Sequence, residues 1–257
     1  MSENVIFCFS GTGNCLDLAK NIAAGLGDTD IVMMKRELAR TDVTDAKRVG
    51  FVFPCFGGGA PSDVLKYARK IKIAPGAYTF GVSSSAAYAG TGLYELNKIV
   101  PLKYWKTVNH QCSCIWLFPH DLLGPVAKSQ AKSEDDARLI ASEIRMAVVT
   151  GKNPPNNPIN AIENKGFATL GAKKAKDFRV SDACIGCGTC AKLCPRGNIT
   201  ILGGRAIIGY DCAGCLSCLQ YCPKNAISMG KITDKREHYH NPNVTAADLC
   251  EPLIHID

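Results

Sequence analysis

The hydrophobic pattern of the amino-terminal half alternates between short apolar runs and longer stretches with a helical spacing. Residues 4–10 form an apolar, strand-like run, and apolar side chains then recur every three or four positions from Leu16 to Leu26. The run 49–53 is apolar throughout, as is typical of a central strand in a parallel sheet. We expect strands at 4–10, 30–34, 49–53, 78–82 and within 107–118, and helices at 16–26, 61–70, 92–99 and 133–149.

Strands that alternate with crossover helices predict an α/β fold with a doubly wound, five-stranded parallel sheet. Ligands of such sheets bind beyond the carboxyl ends of the strands, where the strand order reverses. Three loops rich in glycine and hydroxyl groups follow predicted strands, at 10–14, 54–61 and 83–92. We therefore expect these loops to form a ligand site.

The first loop, Ser10-Gly11-Thr12-Gly13-Asn14, joins the first strand to its helix. Backbone N–H groups at the start of a helix, together with two hydroxyl groups, suit a phosphate. The loop lacks the lysine and the spacing of a P-loop, and Leu16 occupies the place of the third glycine in a dinucleotide-binding loop. The loop therefore indicates a ligand with a terminal monophosphate.

One cysteine pattern is written twice in the carboxy-terminal part of the chain. Both copies read C-x2-C-x2-C-x3-C-P, a pattern that binds pairs of 4Fe–4S clusters, with the fourth cysteine ligating the other cluster. Structural zinc needs two cysteine pairs per metal and leaves the third cysteine without a role, and disulfides need an oxidising compartment. The expected ligands are Cys184, Cys187, Cys190 and Cys222 for one cluster, and Cys194, Cys212, Cys215 and Cys218 for the other.

The composition indicates a cytoplasmic protein. Six of the fourteen cysteines lie outside the two motifs, and that many free thiols imply a reducing compartment. The first residues lack the basic region of a signal peptide, and no apolar stretch is long enough for a membrane span. Cys112 and Cys114 fall within the predicted fifth strand, where we expect buried apolar thiols rather than a metal site.

The net charge of +7 is concentrated in part between 153 and 180, a stretch rich in lysine. Such a stretch suits either steering of an acidic redox partner or a solvated connector. No nucleic-acid-binding motif accompanies the charge, so nucleic acid is not an expected partner.

The first loop resembles the FMN phosphate loop of flavodoxins, which has the form [ST]-x-T-G-x-[ST], except that Cys15 replaces the final hydroxyl residue. This resemblance implies that the second and third loops hold the isoalloxazine ring, with Phe56 and Tyr88 over its faces. The implied FMN-binding residues are Ser10, Gly11, Thr12, Gly13, Asn14, Cys15, Pro54, Cys55, Phe56, Gly57, Gly58, Gly59, Ser83, Ser84, Tyr88, Gly90 and Gly92.

The whole chain resembles a family of flavodoxin–ferredoxin fusion proteins from anaerobic microbes. The resemblance implies a flavodoxin-like FMN domain at 1–152, a linker at 153–179, a small α+β ferredoxin-like domain at 180–231 and a tail at 232–257. We expect a helix at 245–249 to fold the tail back onto one of the domains.

The expected function is electron transfer between FMN, two 4Fe–4S clusters and other redox proteins, such as ferredoxin-linked donors or acceptors. A flavin-dependent oxidoreductase that acts on a small molecule or a nicotinamide is the alternative, although no catalytic acid–base set accompanies the loops. A redox sensor is a third option. A homodimer would allow transfer between chains if the linker held the domains apart.

Overall fold

The computed structural model describes residues 2–86, 88, 90–119 and 126–257. Its central feature is a six-stranded sheet in the order β12-β2-β1-β4-β6-β7. The sheet strands are β1 (Asn4–Cys8), β2 (Thr29–Met33), β4 (Arg48–Pro54), β6 (Tyr78–Ser85), β7 (Tyr104–Asn109) and β12 (Leu253–Ile256), and a separate short pair comprises β3 (Asp42–Val43) and β5 (Lys72–Ile73).

Five of the six strands are parallel and follow the flavodoxin-like order 2-1-3-4-5. This confirms the predicted five-stranded, doubly wound sheet. Strand β12 adds a sixth, antiparallel strand at the β2 edge. The sheet is covered by α1 (Asn14–Leu26) and α4 (Val126–Arg145) on one face and by α2 (Ser62–Ala68) and α3 (Gly92–Asn97) on the other.

The fifth parallel strand begins earlier than expected. It covers Tyr104–Asn109 rather than a segment of 107–118. Three of its residues, at 105–107, are only half-buried, because β7 lies at the edge of the sheet, so the apolar run is interrupted there. Residues 110–118 form a loop, and the expectation that Cys112 and Cys114 lie on a strand is wrong.

The ferredoxin-like region is built from short elements around its own small core. Two antiparallel pairs, β8 with β11 and β9 with β10, flank two short helices. These elements are β8 (Phe178–Val180), α6 (Thr189–Leu193), β9 (Ile199–Leu202), β10 (Arg205–Ile208), α7 (Ser217–Gln220), β11 (Ile227–Met229) and α8 (Gly230–Thr233). The segment predicted as a linker contains α5 (Pro158–Lys174) and a 3-10 turn at Ala175–Asp177.

The tail joins the two regions. Its helix α9 (Ala246–Cys250) occupies the expected place, with Thr245 and Asp248 forming a capping box. Upstream, the backbone N–H of Asn241 donates to the Thr12 carbonyl at 2.8 Å, and Tyr239 Oη donates to Asn14 Oδ1 at 2.7 Å. The tail therefore crosses the start of α1 before it adds β12 to the sheet.

The two regions also share buried apolar side chains. Leu193 and Tyr221 pack into the core between the sheet and α1, together with Val244 and Leu249 of the tail. Arg196 forms three contacts with the buried Asp63 carboxylate of α2, two from Nε at 3.0 and 3.1 Å and one from Nη2 at 2.9 Å. In the part of the chain that the structure describes, no helix has the length and apolar character of a membrane span.

Candidate cofactor sites

A cavity of about 400 Å³ lies at the carboxyl ends of the central strands. It lies where the three glycine- and hydroxyl-rich loops meet, as ligand sites of doubly wound sheets do. Of the residues implied for FMN, those that line the cavity are Ser10, Gly11, Thr12, Asn14, Cys15, Pro54, Cys55, Phe56, Gly57, Gly58, Ser84 and Tyr88.

The other five implied residues do not line it, and most have contacts of their own. Gly13 faces Tyr221 and Asn241, while Gly59 pairs with Phe56 through backbone hydrogen bonds. Gly90 and Gly92 pack against the second loop, where a Cβ would meet backbone atoms of Gly58 and Ala60 respectively. Ser83 is buried. Two residues of the third loop, Ala87 and Ala89, lie outside the described residues.

The first loop offers an array of free N–H groups. The backbone N–H groups of residues 10–16 have no acceptor among the described residues. Ser217 Oγ donates to the Gly11 carbonyl at 2.7 Å and the Asn241 amide donates to the Thr12 carbonyl. Because a trans peptide places its N–H opposite its C=O, the N–H groups of Thr12 and Gly13 point away from these two contacts.

Ser10 strengthens this arrangement, because its hydroxyl group is buried and has no partner in the described part of the chain. A buried hydroxyl group without a hydrogen bond costs about 1–3 kcal/mol, so such a group commonly marks a site for a polar ligand or water. The loop thus fits a phosphate bound by N–H groups and by Ser10 at the start of a 13-residue helix.

Asn14 and Cys15 contribute less than the resemblance implied. The Asn14 side chain is buried, its Nδ2 donates to the Gln111 carbonyl at 3.4 Å, and its Oδ1 accepts from Tyr239 and Asn241. Burial raises the pKa of the Cys15 thiol to about 12, so the group is neutral. Neither side chain therefore offers a free strong donor to a phosphate.

The second loop is covered by α5. A Cβ added at Gly57 would overlap Phe167, and one at Gly58 would lie 3.0 Å from Asn160 Cβ. Both glycines have positive φ, which favours glycine independently of any ligand. Close approach of the helix, rather than of a flavin ring, is therefore the observed reason for glycine on the outer side of this loop.

Aromatic and apolar side chains surround the rest of the cavity. Phe56 packs edge-on against Phe9, with ring centroids 6.2 Å apart, and lies 5.8 Å from Phe167. Tyr88 is 48% exposed and donates through its hydroxyl group to Glu163 of α5 at 2.9 Å. Phe118 is 49% exposed and lies at the same cavity. These rings suit a flat, largely apolar ligand.

A buried histidine supports the wall of the cavity. Ser84 Oγ and His110 Nδ1 lie 2.8 Å apart. Burial lowers the pKa of His110 to about 4, so the imidazole ring is neutral near pH 7 and adds no positive charge to the cavity.

Several lining residues were not predicted from the sequence. Ser85 and Ala86 belong to the third loop itself, and the others come from the loop after β7, helix α5 and the second cysteine motif. The residues are Ser85, Ala86, Gln111, Cys112, Ser113, Cys114, Leu117, Phe118, Phe167, Gly214, Cys215 and Leu216.

Each expected ligand set combines three thiols of one motif copy with the fourth of the other. We call Cys184, Cys187, Cys190 and Cys222 the outer set, and these four line one small hollow. We call Cys194, Cys212, Cys215 and Cys218 the inner set. Burial raises the pKa of the Cys218 thiol well above its usual value, and the nearby thiols of Cys215, Cys212 and Cys194 raise it further.

No group of three or more His, Cys, Asp or Glu side chains suited to a single metal ion exists among the described residues. A cubane differs from a single ion, because its four thiolates bind four separate iron atoms and stand farther apart. The chemistry of each set, four thiols and no carboxylate or imidazole, fits a 4Fe–4S cluster.

The inner set adjoins the cavity. Gly214, Cys215 and Leu216 form part of the cavity wall. A Cβ on Gly11 would overlap the carbonyl oxygen of Cys215, so the phosphate loop and the cysteine motif pack backbone to backbone. The two candidate cofactor sites therefore share a wall.

Comparison with family models gives a match for one segment of the chain. The 4Fe-4S binding domain family matches residues 179–200, which span the first cysteine motif. Comparison with curated proteins gives no match.

Several solved structures align with the amino-terminal half. A Streptococcus pneumoniae TIGR4 flavodoxin is 15% identical, with 55% of this chain and 98% of that chain covered and a TM-score of 0.37. The Megasphaera elsdenii flavodoxin is 15% identical, with 54% and 98% covered and a TM-score of 0.34. An NAD(P)H:quinone oxidoreductase from Methanothermobacter marburgensis is 12% identical, with 56% and 98% covered and a TM-score of 0.36.

The strand order and the matched domain together define the architecture. The parallel strands follow the flavodoxin order, and the first cysteine motif lies in the matched 4Fe–4S segment. The chain therefore combines a doubly wound sheet in the flavodoxin-like strand order with a segment that matches the 4Fe-4S binding domain family.

Proposed function

We propose that this protein is an iron–sulfur flavoprotein that transfers electrons between an FMN, two 4Fe–4S clusters and external redox partners. One observation carries the proposal: Cys215 of the inner set lines the same cavity as the first loop, whose backbone N–H groups have no acceptor among the described residues. FMN exchanges one or two electrons and each cluster exchanges one, so their contact would connect two-electron to one-electron chemistry.

The protein's own residues would bind the FMN phosphate and limit the access of solvent to the inner cysteines. The N–H groups of the first loop and the Ser10 hydroxyl group would hold the phosphate, while Phe56 and Tyr88 lie beside the larger part of the cavity. None of the four inner cysteines is exposed. Burial raises the pKa of the Cys215 thiol to about 12, so deprotonation of this ligand depends on iron rather than on the protein environment.

Contact within one chain supports transfer without a second subunit. The Ser217 hydroxyl group donates to the Gly11 carbonyl, and Arg196 binds Asp63 across the same boundary. Transfer between chains was expected only if the segment 153–179 held the domains apart, and the shared cavity wall removes that need.

Cofactor content tests the proposal. Protein purified without oxygen should contain about one FMN and about eight iron atoms per chain, and dithionite should bleach both the flavin and the iron–sulfur absorption. The phosphate site adds a sharper test, because FMN should bind at least about a hundredfold more tightly than riboflavin, and Ser10→Ala should narrow that difference. Equal affinity for FMN and riboflavin, or iron content near four, would contradict the assignment.

The cavity rim favours a second candidate, a flavin-dependent oxidoreductase with a small-molecule substrate. Tyr88 and Phe118 are each about half exposed, and Leu117 is 37% exposed at the same cavity. Such an apolar mouth suits a flat substrate stacked on the flavin. Steady turnover of a quinone or nicotinamide by the reduced protein, lowered by Phe118→Ala without loss of FMN, would support this candidate over a pure carrier.

A further inference from the structure

Only the outer set contains an exposed cysteine. Cys187 is exposed, and it lines a hollow whose rim includes Ile185 and Lys224. The two sets are neighbours, because Cys190 of the outer set packs in the same small core as Cys194 and Cys218 of the inner set. The arrangement is therefore sequential, from the cavity to the inner set, then to the outer set and to solvent.

The surface around the outer set is apolar at its centre. Ile185 is 61% exposed between two ligand cysteines, and Ile201 lines the same hollow. The turn of the β9–β10 hairpin packs on the ligand loop, since a Cβ at Gly186 would overlap the carbonyl oxygen of Gly204. This contact places Leu202, which is 74% exposed, at the edge of the patch. Exposed apolar side chains around a redox centre are typical of a protein contact rather than of a solvated face.

Positive charge surrounds the apolar centre. The ligand-bearing segments 182–193, 199–208 and 222–227 contain four charged residues, of which three are cations. Arg205 pairs with Asp182 at 2.6 Å. Lys224 lines the hollow, and Lys192 lies two residues after Cys190 in α6. Both are exposed and have no ion-pair partner within the residues that the structure describes, which leaves these segments with a net charge of +2.

We propose that this face, formed by Ile185, Leu202, Lys192 and Lys224 around Cys187, is the docking surface for a small acidic protein that carries one electron. The inference rests on the proposed function, because it requires a cluster in the outer set. In the complex, one electron moves between the reduced centre of the carrier and the outer cluster. One centre loses that electron and the other gains it, without a proton or a bond change.

The charge pattern selects an acidic protein, because an acidic rim on the carrier would complement Lys192 and Lys224 and orient it for contact. The apolar centre then supplies the desolvated contact that a free anion or a solvated polyanion would not fill. Steering of this kind raises association rates mainly at low ionic strength.

The experiment measures the affinity of the cofactor-loaded protein for an oxidised acidic 2Fe–2S ferredoxin, in which no turnover occurs. The double variant Lys192→Glu/Lys224→Glu should raise the Kd at least about tenfold at low salt, and Leu202→Asn should raise it about threefold. The matched control is Lys103→Glu/Lys152→Glu, which makes the same change in net charge at the amino-terminal end of β7, opposite to the end that faces the cavity. It should leave the Kd within about twofold of the wild-type value.

Reduction by dithionite distinguishes a failure of the proposed function from a failure of the proposed docking surface. If the wild-type protein shows no bleachable cluster absorption, the proposed function itself fails. If dithionite bleaches wild type and double variant alike but the ferredoxin binds both with equal Kd, or binds neither, the docking surface is wrong while the proposed function stands. An effect of the control variant as large as that of the double variant would also overturn the proposed surface.

Discussion

The two copies of the cysteine motif have the same spacing, yet the outer set has an exposed cysteine and lines a surface hollow, while the inner set has none and adjoins the cavity. In both, a hydroxyl group lies 3.4 Å from the sulfur of the second cysteine, Thr189 beside Cys187 and Ser217 beside Cys215. Only Ser217 also donates to the flavodoxin-like region, through the Gly11 carbonyl. The same local motif therefore serves as a surface site in one copy and as an interface in the other.

Two side chains near the cysteines explain the difference. Ile185 of the first copy is replaced by Ala213 in the second, and Ala213 packs against the core of the sheet. Gly188 is replaced by Leu216, which has the same left-handed backbone, with φ of 61°, and is buried in the cavity wall. That backbone costs a non-glycine residue about 1–2 kcal/mol, so burial of Leu216 must offset it. Docking, rather than ligand spacing, distinguishes the two sets.

The largest expected effect comes from replacing the fourth cysteine of either motif, which we expect to ligate the cluster of the other copy. Cys194→Ser should remove the inner cluster and about half of the iron, although Cys194 belongs to the first copy of the motif. Cys222→Ser should remove the outer cluster and a similar amount of iron. Iron assays together with electron paramagnetic resonance of the reduced proteins distinguish the two. Loss of the outer signal in Cys194→Ser would show that each copy binds its own cluster.

A larger side chain in the first loop should weaken the packing between this loop and the second cysteine motif. Gly11→Ala introduces a Cβ that overlaps the Cys215 carbonyl oxygen, and such overpacking costs about 1–3 kcal/mol. Anaerobic urea unfolding should show this loss, with slower electron exchange between flavin and clusters. Gly166→Ala is the control, because a Cβ there meets nothing and alanine favours the helix α5. Equal stability of the two variants would show that the packing at Gly11 is dispensable.

We expect the tail to stabilise the folded protein through the buried side chain of Asn241. Asn241 is fully buried, its N–H donates to Thr12 and its Nδ2 donates to Asp17 at 3.2 Å. Asn241→Ala leaves buried groups unpaired and should lower the free energy of unfolding by about 1–2 kcal/mol. Asn243→Ala removes an exposed contact to the same aspartate and should change it by less than about 0.5 kcal/mol. The reverse order of these two effects would remove the tail from the interface.

The smallest expected effect is a pH dependence at β12. The hydrogen bond to Asp30 raises the pKa of His255, against a smaller effect of burial and with a contribution from Asp257. A raised pKa in the folded state means that His255 stabilises the strand below pH of about 6.5 and stops doing so as pH rises through the folded value. Hydrogen-exchange protection of Leu253–Ile256 should fall between pH 6 and pH 8.5, relative to that of β1. In His255→Gln the protection should not change across this range, and an unchanged slope would contradict the assignment.

The sequence was sufficient where the signal is local. Apolar runs such as 49–53 predict central strands because both faces are buried, and the first cysteine motif lies in the segment that matches the 4Fe-4S binding domain family. Strand β12 was missed because four residues with alternating burial, Leu253–Ile256, are too short to establish a period.

The contact between the two regions could not be predicted from local sequence patterns. Gly214, Cys215 and Leu216 join the cavity through docking of two regions about 200 residues apart in the chain, which leaves no periodic pattern. A weak signal existed in the repeat itself. Leucine replaces a glycine at 216, where the motif requires a left-handed backbone, and this indicates that the second copy is buried.

Electron exchange after photoreduction of the flavin tests most directly whether the inner set lies between the flavin and the outer set. In Cys187→Ser, which should disrupt only the outer cluster, electrons should still reach the inner cluster at the wild-type rate. In Cys215→Ser, the outer cluster should remain bound and stay oxidised on that timescale. Reduction of the outer cluster in Cys215→Ser at the wild-type rate would show that the enclosed cysteines are not on the route.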